Sequence, residues 1–331
     1  MATGVKKPKS GARKPGPMPK SVADEVAGLA LALEEQVPPK SLDRNLLIGT
    51  WNIRAFGDLS DSWGGSTEGG PQRDLRSLAL ITEIVSHFDV IAIQEVKGNL
   101  RCLRHMMHAL GPDWSFILTD VTRGSAGNDE RLAFVFDTRR VRLSGLACEL
   151  VISDDDVKVA GAGDLVRQFA RTPYAVSFAS GDKTFILVTL HVLWGKVPGD
   201  RIPELRGIAK WVAGWAEEMA SWGQNLIALG DFNIDRRGDE AYQALASTGL
   251  HPAEALNDVP RTIFEKAKGF YDQIAWFEGA GGAPLLSLQP TGAAGGFDFV
   301  PHVYPELDRR AVSWRVSDHI PLWCEFALPR A

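Results

Sequence analysis

A chain of 331 residues, 45% hydrophobic and 23% charged, has the mass for a large core, as one large domain or two small ones. Its apolar runs all fall short of the ~20 residues a bilayer span needs, so a membrane-spanning helix is excluded. The formal net charge is −5, and beyond residue 20 the chain holds 30 basic against 41 acidic residues, which excludes a protein whose whole surface grips a polyanion. Any such partner must be held locally, and metal ions are the usual means for an acidic site.

Residues 1–20 carry six Lys or Arg, no acid and many Pro and Gly. They cannot bury enough surface to offset the ordering entropy and are expected to be a disordered basic tail, a solvated end or a nonspecific tether for nucleic acid. The tail lacks the apolar core and cleavage site of a signal peptide. Cys102, Cys148 and Cys324 show no CxxC spacing, which argues against a disulfide framework or a cysteine zinc site. A reducing, cytoplasmic location is therefore expected. In residues 21–45, an N-terminal helix and linker, Val22, Val26, Leu29, Ala30 and Leu33 form an apolar stripe before Pro38 and Pro39 interrupt.

From Leu46 onward, in the expected 46–331 domain, β-rich runs recur: LLIGTWNI, VIAIQEV, SFILTDV, RLAFVFD, LACELVIS, YAVSFAS, TFILVTLHV, NLIALGDF, DQIAWF and PLWCEF. About ten strands imply two sheets or a barrel. Gly181-Asp182 between YAVSFAS and KTFILVTLHV suits a two-residue hairpin turn. Runs such as ILVTL and LIAL are apolar at consecutive positions, so both faces are covered and helices must lie outside the sheets. Residues 74–87 and 203–222 have helical apolar spacing, the latter through Leu205, Ile208, Val212, Ala216 and Met219. The expected architecture is an α/β fold, a four-layer α/β/β/α sandwich of two mostly antiparallel or mixed sheets flanked by helices. Residues 57–71 and 279–296 are rich in Gly and are expected to be loops, the first of them a candidate to face substrate because it follows Asn52 closely.

Acids, amides and histidines fall where apolar strands end: Asn52, Glu95, His191, and Asp231 with Asn233. That is where a rigid scaffold places a site. A carboxylate at the edge of a core needs compensation, which a hard cation supplies through oxygen ligands. In LIALGDFNID the strand breaks at Gly230 and presents Asp231 and Asn233 two residues apart; in VSDHIPL, Ser317, Asp318 and His319 precede the last strand. Phosphodiester hydrolysis needs neutralised phosphate charge, an activated water in line and help for the leaving oxygen, and this set contains each part.

In order along the chain, WNI, IQE, LVTLH, LGDFN, YDQIAW and SDHIPL resemble the successive motifs of the endonuclease/exonuclease/phosphatase superfamily, nearest its DNase I-like members, from about Asn52 to Phe326. The resemblance implies a Mg²⁺-dependent (Mn²⁺ substituting) phosphodiester hydrolase with a nucleic acid substrate. Glu95 would bind the metal directly, with Asn52 and Asp318 alongside. Asp231 would orient the attacking water, Asn233 would contact the scissile phosphate, and His191 and His319 would flank it. Glu130 in NDERLAF and Asp272 in FYDQIAW would orient the two histidines, since a carboxylate beside an imidazole fixes its tautomer and favours its charged form. Arg171 would contact phosphate.

The chain departs from the DNase-like pattern at Asn128, where a tyrosine is common, and it lacks the disulfide of secreted DNases. A lipid-linked or small-molecule phosphoester is the alternative substrate, although Leu229 and Gly269-Phe270-Tyr271 stand where the inositol phosphatases carry a tryptophan and a proline-tryptophan-cysteine run. A fold retained as a non-catalytic binding module is a third reading. Cys102, His105 and His108 are expected on a helix surface rather than around a metal. Trp211, Trp215 and Trp222 are expected to pack, and Trp63 is the tryptophan that could serve as a stacking platform.

Overall fold

The computed structural model describes residues 16–64, 73–124, 127–151, 169–220, 225–264, 269–279 and 281–328. Most of the basic tail (1–15), much of the first glycine-rich stretch (65–71) and Trp222 lie outside them.

Two six-stranded sheets lie face to face. The first has β11 (Pro290–Gly296), β12 (Leu322–Ala327), β1 (Asn45–Phe56), β2 (Val90–Lys97), β4 (Glu130–Asp137) and β3 (Trp114–Leu118) in that spatial order. The second has β5 (Arg142–Glu149), β6 (Tyr174–Ser180), β7 (Lys183–His191), β8 (Asn225–Asp231), β10 (Asp272–Phe277) and β9 (Leu250–Pro252). Among the described strands only β1–β2 and β7–β8 pair in parallel, and each pair is bridged by a helix, α2 (Leu75–Ser86) and α4 (Ile202–Ala220). The halves thus repeat one topology although the sequence repeats nothing. The expected sandwich is the observed one.

Burial explains the layers. Leu46, Ile48, Ala92, Phe134, Val176, Phe185, Ile227 and Ile274 alternate inward and meet between the sheets. The opposite strand faces are covered by α1 (Lys20–Gln36), α2, α3 (Arg101–Leu110) and α6 (Arg309–Arg315) on the first sheet, and by α4 and α5 (Glu240–Ala246) on the second. The N-terminal helix shares the first-sheet core through Leu29, Ala32 and Leu33, each fully buried leucine contributing about 2 kcal/mol. Its Glu25 also pairs with Arg76 at 2.6 Å. Asp74 caps α2 by accepting from Ser77 N at 2.9 Å.

A polar link crosses the apolar slab. Gln94 Nε2 donates to Thr50 Oγ1 at 3.2 Å within the first sheet and to Thr189 Oγ1 of the second at 3.0 Å, all three residues being buried.

Several expectations change. The stretch 279–296 contains a strand, β11, an irregular edge pairing only with β12. Strand β5 begins at Arg142, before the expected Leu146. Cys102 is in the core and donates its thiol hydrogen to Asp58 O, so only His105 and His108 of that trio lie toward the surface of α3. Trp63 packs partly buried on the first-sheet core and donates to Gly16 O at 2.9 Å, which removes it as an open stacking platform. Trp211 and Trp215 do pack, with ring centroids 5.1 Å apart. Gly181, with φ 56, opens the expected hairpin turn.

Candidate active site

Strand direction alone gathers the polar residues. The parallel strands β1, β2, β7 and β8 end at one rim, and antiparallel β4, β10 and β12 begin there. Asn52 and Glu95 lie near the ends of β1 and β2, His191 and Asp231 close β7 and β8, Glu130 and Asp272 open β4 and β10, and Asp318 and His319 precede β12. Register completes the juxtaposition, pairing His191 with Asp231 and Asp231 with Asp272 across the ladder. Asn52 Nδ2 then donates to Asp231 Oδ2 at 3.0 Å, joining the two sheets at the rim.

Local backbone devices aim these side chains. Both ladders of β2 shift register around Glu95, which adopts φ 61, so a bulge turns its carboxylate toward β1, where Oε2 accepts from Ala55 N at 2.8 Å. Asn233 is likewise left-handed at φ 53; its N–H donates to Asp231 Oδ1 at 2.9 Å and its Nδ2 to Val192 O at 2.7 Å. Non-glycine residues held there cost about 1–3 kcal/mol each, and such strain gathers at functional sites. Gly230, at φ 137, is required by contact as well, since a Cβ would sit 2.1 Å from Leu190 O.

The histidines have unequal partners. His319 Nδ1 donates to Asp272 Oδ2 at 2.6 Å. Burial alone would lower the His319 pKa, but Asp272, Asp231 and Asp318 raise it to about 10. Burial pushes Asp272 up to about 6 against the pull of His319. At neutral pH the two form an ion pair with Nε2 of His319 on the far side of the ring. His191 Nδ1 lies 3.3 Å from Glu130 Oε2 but off line, closing no hydrogen bond, while its Nε2 is 3.7 Å from Asp231 Oδ2. Glu130 is gripped instead by Arg171 Nε at 2.5 Å, Lys97 Nζ at 2.7 Å and Asn128 Nδ2 at 2.6 Å.

The oxygen-rich rim fits a hard cation. Ligand atoms of Asp231, Asp272 and His319 lie within 4.8 Å of one another. Asn52 Oδ1 and Asp272 Oδ1 are buried without a hydrogen-bond partner, an arrangement that calls for an ion or water. Glu95 adds a carboxylate at the end of β2. Asp318 already has a cation, Arg54 Nη1 at 3.3 Å. Of the sequence-expected donors, Asn52 joins the Asp231–Asp272–His319 group through its bond to Asp231, Asp318 precedes His319 in the chain, and Glu95 is anchored on Ala55 N at the end of β2. Arg171 Nη1 is buried with no partner, a donor suited to a phosphoryl oxygen.

Sequence reasoning missed Lys97, Arg54, Arg201 and Glu204. Glu204, on α4, accepts from Ala170 N at 3.0 Å and Leu193 N at 3.1 Å, tying the segments that carry Arg171 and His191; burial pushes its pKa up. Arg201 Nη1 donates to Asn233 O at 2.6 Å, holding the strained turn. Asn128, the departure from the tyrosine pattern, serves Glu130. Apart from Asn128, two residues from Glu130, these partnerships cross between segments separated in sequence, and no local spacing announces them.

The two-sheet sandwich with this rim defines a phosphoester hydrolase. Residues 49–320 match the model described as "Endonuclease/Exonuclease/phosphatase family", and the chain belongs to that family. A deoxyribonuclease of Thioalkalivibrio sp. (strain K90mix) is 25% identical over 298 residues, 87% of this chain and 73% of its own length. The human Nocturnin catalytic domain, solved with a bound sulfate anion, aligns at TM-score 0.55 and 14% identity over 85% of this chain and 94% of that one. D. rerio TDP2, complexed with a single strand DNA product, aligns at TM-score 0.53 and 15% identity over 85% and 98%. These two structural likenesses establish the fold alone. No helix among the described residues is long and apolar enough to cross a membrane.

Proposed function

We propose that the protein is a divalent-metal-dependent nuclease, with Mg²⁺ as the ion, that cuts DNA or RNA internally by in-line attack of water. The observation that carries the reading is the set of buried, partnerless polar atoms at one rim: Asn52 Oδ1 and Asp272 Oδ1 as acceptors for a cation, Arg171 Nη1 as a donor for a phosphoryl oxygen. The similarity to a deoxyribonuclease supports the substrate class, and free thiols at Cys102, Cys148 and Cys324 suit the reducing cytoplasm.

Glu95, Asn52 and Asp318 would hold the ion, with Asp231 and Asp272 adjoining. When bound, the ion neutralises phosphoryl charge and makes the attacking water more acidic. Asp231 accepts the proton of that water and aims it. Asn233, His191 and Arg171 bind the non-bridging oxygens. His319, charged and held by Asp272, donates across its Nε2 to the oxygen on which charge develops.

Supercoiled plasmid, single strands, RNA and inositol phosphates incubated with Mg²⁺, Mn²⁺ or EDTA test the reading. Nucleic acid should be cut with either metal and not with EDTA, and Glu95→Gln should lower turnover ~100-fold with an unchanged circular dichroism spectrum. Cleavage that persists in EDTA, or hydrolysis confined to inositol phosphates, would overturn it.

A further inference from the structure

Among the described tryptophans two stand exposed, both at the rim, Trp194 at 52% and Trp314 at 42%. Neither is loose. The guanidinium of Arg54 lies 3.6 Å from the ring centroid of Trp314, and that of Arg201 lies 4.1 Å from the centroid of Trp194. Each arginine lies over its ring and holds it while about half of the residue stays exposed to solvent.

Both arginines are also fastened to the candidate site. Arg54 Nη1 pairs with Asp318 at 3.3 Å and donates to Ser313 Oγ at 2.9 Å. Arg201 donates through Nε to Trp194 O at 2.7 Å and through Nη1 to Asn233 O at 2.6 Å and Asp235 Oδ1 at 2.9 Å. Trp194 meets Tyr271 edge to face at 5.6 Å, and Tyr271 lies 6.1 Å from the His319 ring. A continuous row therefore runs Trp314, Arg54, Asp318, His319, Tyr271, Trp194, with the reacting groups at its centre and an exposed, immobilised ring at each end. Beside Trp314 an open depression is lined by Asp308, Arg310 and Ala311.

We propose that Trp194 and Trp314 are stacking platforms for the nucleobases on either side of the scissile phosphate, so that the site selects single-stranded or locally unpaired nucleic acid. This rests on the nuclease reading above and specifies its substrate. An aromatic ring fixed by an arginine offers a flat surface at little entropic cost, and every base has a matching π face. Within a duplex those faces are covered by neighbouring base pairs and cannot reach a ring at the rim. Two platforms bracketing one phosphate fix the strand in line without reading its sequence.

The test uses the full chain with Mg²⁺ and a short fluorescent single strand whose phosphorothioate linkages resist cutting, read by anisotropy. Trp194→Ala and Trp314→Ala should each weaken binding ~10-fold, and Phe at either position should restore most of it. The slope of affinity against salt should not change, because no phosphate contact is lost. An oligonucleotide of abasic residues, or the same sequence as a duplex, should bind wild type and variants alike. Unchanged single-strand affinity in both alanine variants, or an equal loss on the abasic strand, overturns the stacking role. Wild-type cleavage of an unmodified strand is followed in parallel. If wild type cuts while the variants bind normally, stacking fails and the nuclease reading stands; if wild type binds in a tryptophan-dependent way without cutting, the reverse holds. A wild type that neither binds nor cuts overturns both.

Discussion

Replacing Glu130 by Gln removes one negative charge from a buried knot in which Arg171, Lys97 and Asn128 all converge on its two oxygens. Burial raises the pKa of this carboxyl, but His191, Arg171 and Lys97 more than offset it and hold the group at about 2, against an ordinary 4.5. That difference corresponds to about 3 kcal/mol, the scale on which removing one member of a buried ion cluster destabilises a fold. The sign follows from the direction: a depressed folded-state pKa contributes stability fully present above pH 4.5 and lost as pH falls through about 2. Urea denaturation of wild type and Glu130→Gln, from neutral pH down to about pH 3, should show the variant about 3 kcal/mol less stable at the top and the gap narrowing at the bottom. A gap of constant size across that range would refute the electrostatic account, and no gap at neutral pH would show that Arg171 and Lys97 find other partners. Turnover should fall as well, by ~10–100-fold, because Arg171 loses the carboxylate that aims it.

Three further outcomes are expected. Asp272→Ala and His319→Ala should each lower turnover ~100-fold and the double variant little more, because the two act as one ion pair; steady-state kinetics would reveal additivity if they act separately. Gly230→Ala should cost about 3 kcal/mol or more in a urea titration, since its Cβ would collide with Leu190 O of the adjacent strand, and near-wild-type stability would mean that β7 and β8 can separate there freely. Removing residues 1–15, which carry five Lys or Arg, should weaken binding to long DNA and flatten its salt dependence; identical slopes with and without them would exclude the tether.

What was readable in the sequence was whatever follows one strand. An apolar run that stops at His191 or Asp231 announces a strand with a polar end, and ordered runs of that kind announce two sheets. The strand β11 was hidden because PTGAAGG has three glycines and, after Thr291, no β-branched or aromatic residue; it is a strand only because β12 offers an edge. Cys102 faces the core against the sequence expectation, because helical spacing tells which residues share a face and is silent on which face meets the core. At the rim, the candidate residues could be named from their strand ends, but their partners could not. Lys97 reaches Glu130 from the adjacent strand, Arg54 reaches Asp318 from the other end of the chain, and Glu204 acts from a helix, so each depends on tertiary placement.

The contact of Gln94 with Thr189 beneath the rim divides two jobs usually assigned to the same atoms. Apolar side chains between the sheets resist separation, yet they are nearly indifferent to sliding, because a leucine leaving one neighbour meets another. An amide bonded to a hydroxyl on the opposite sheet is not indifferent: a displacement of about an ångström breaks it and strands both groups in a dry interior. The slab therefore decides how firmly the sheets adhere, and the Gln94–Thr189 bond, with the Asn52–Asp231 bond above it, favours one resting position. The candidate site, contributed half by each sheet, is only as well aligned as that resting point, so part of its alignment is set one layer down, by side chains buried beneath the rim.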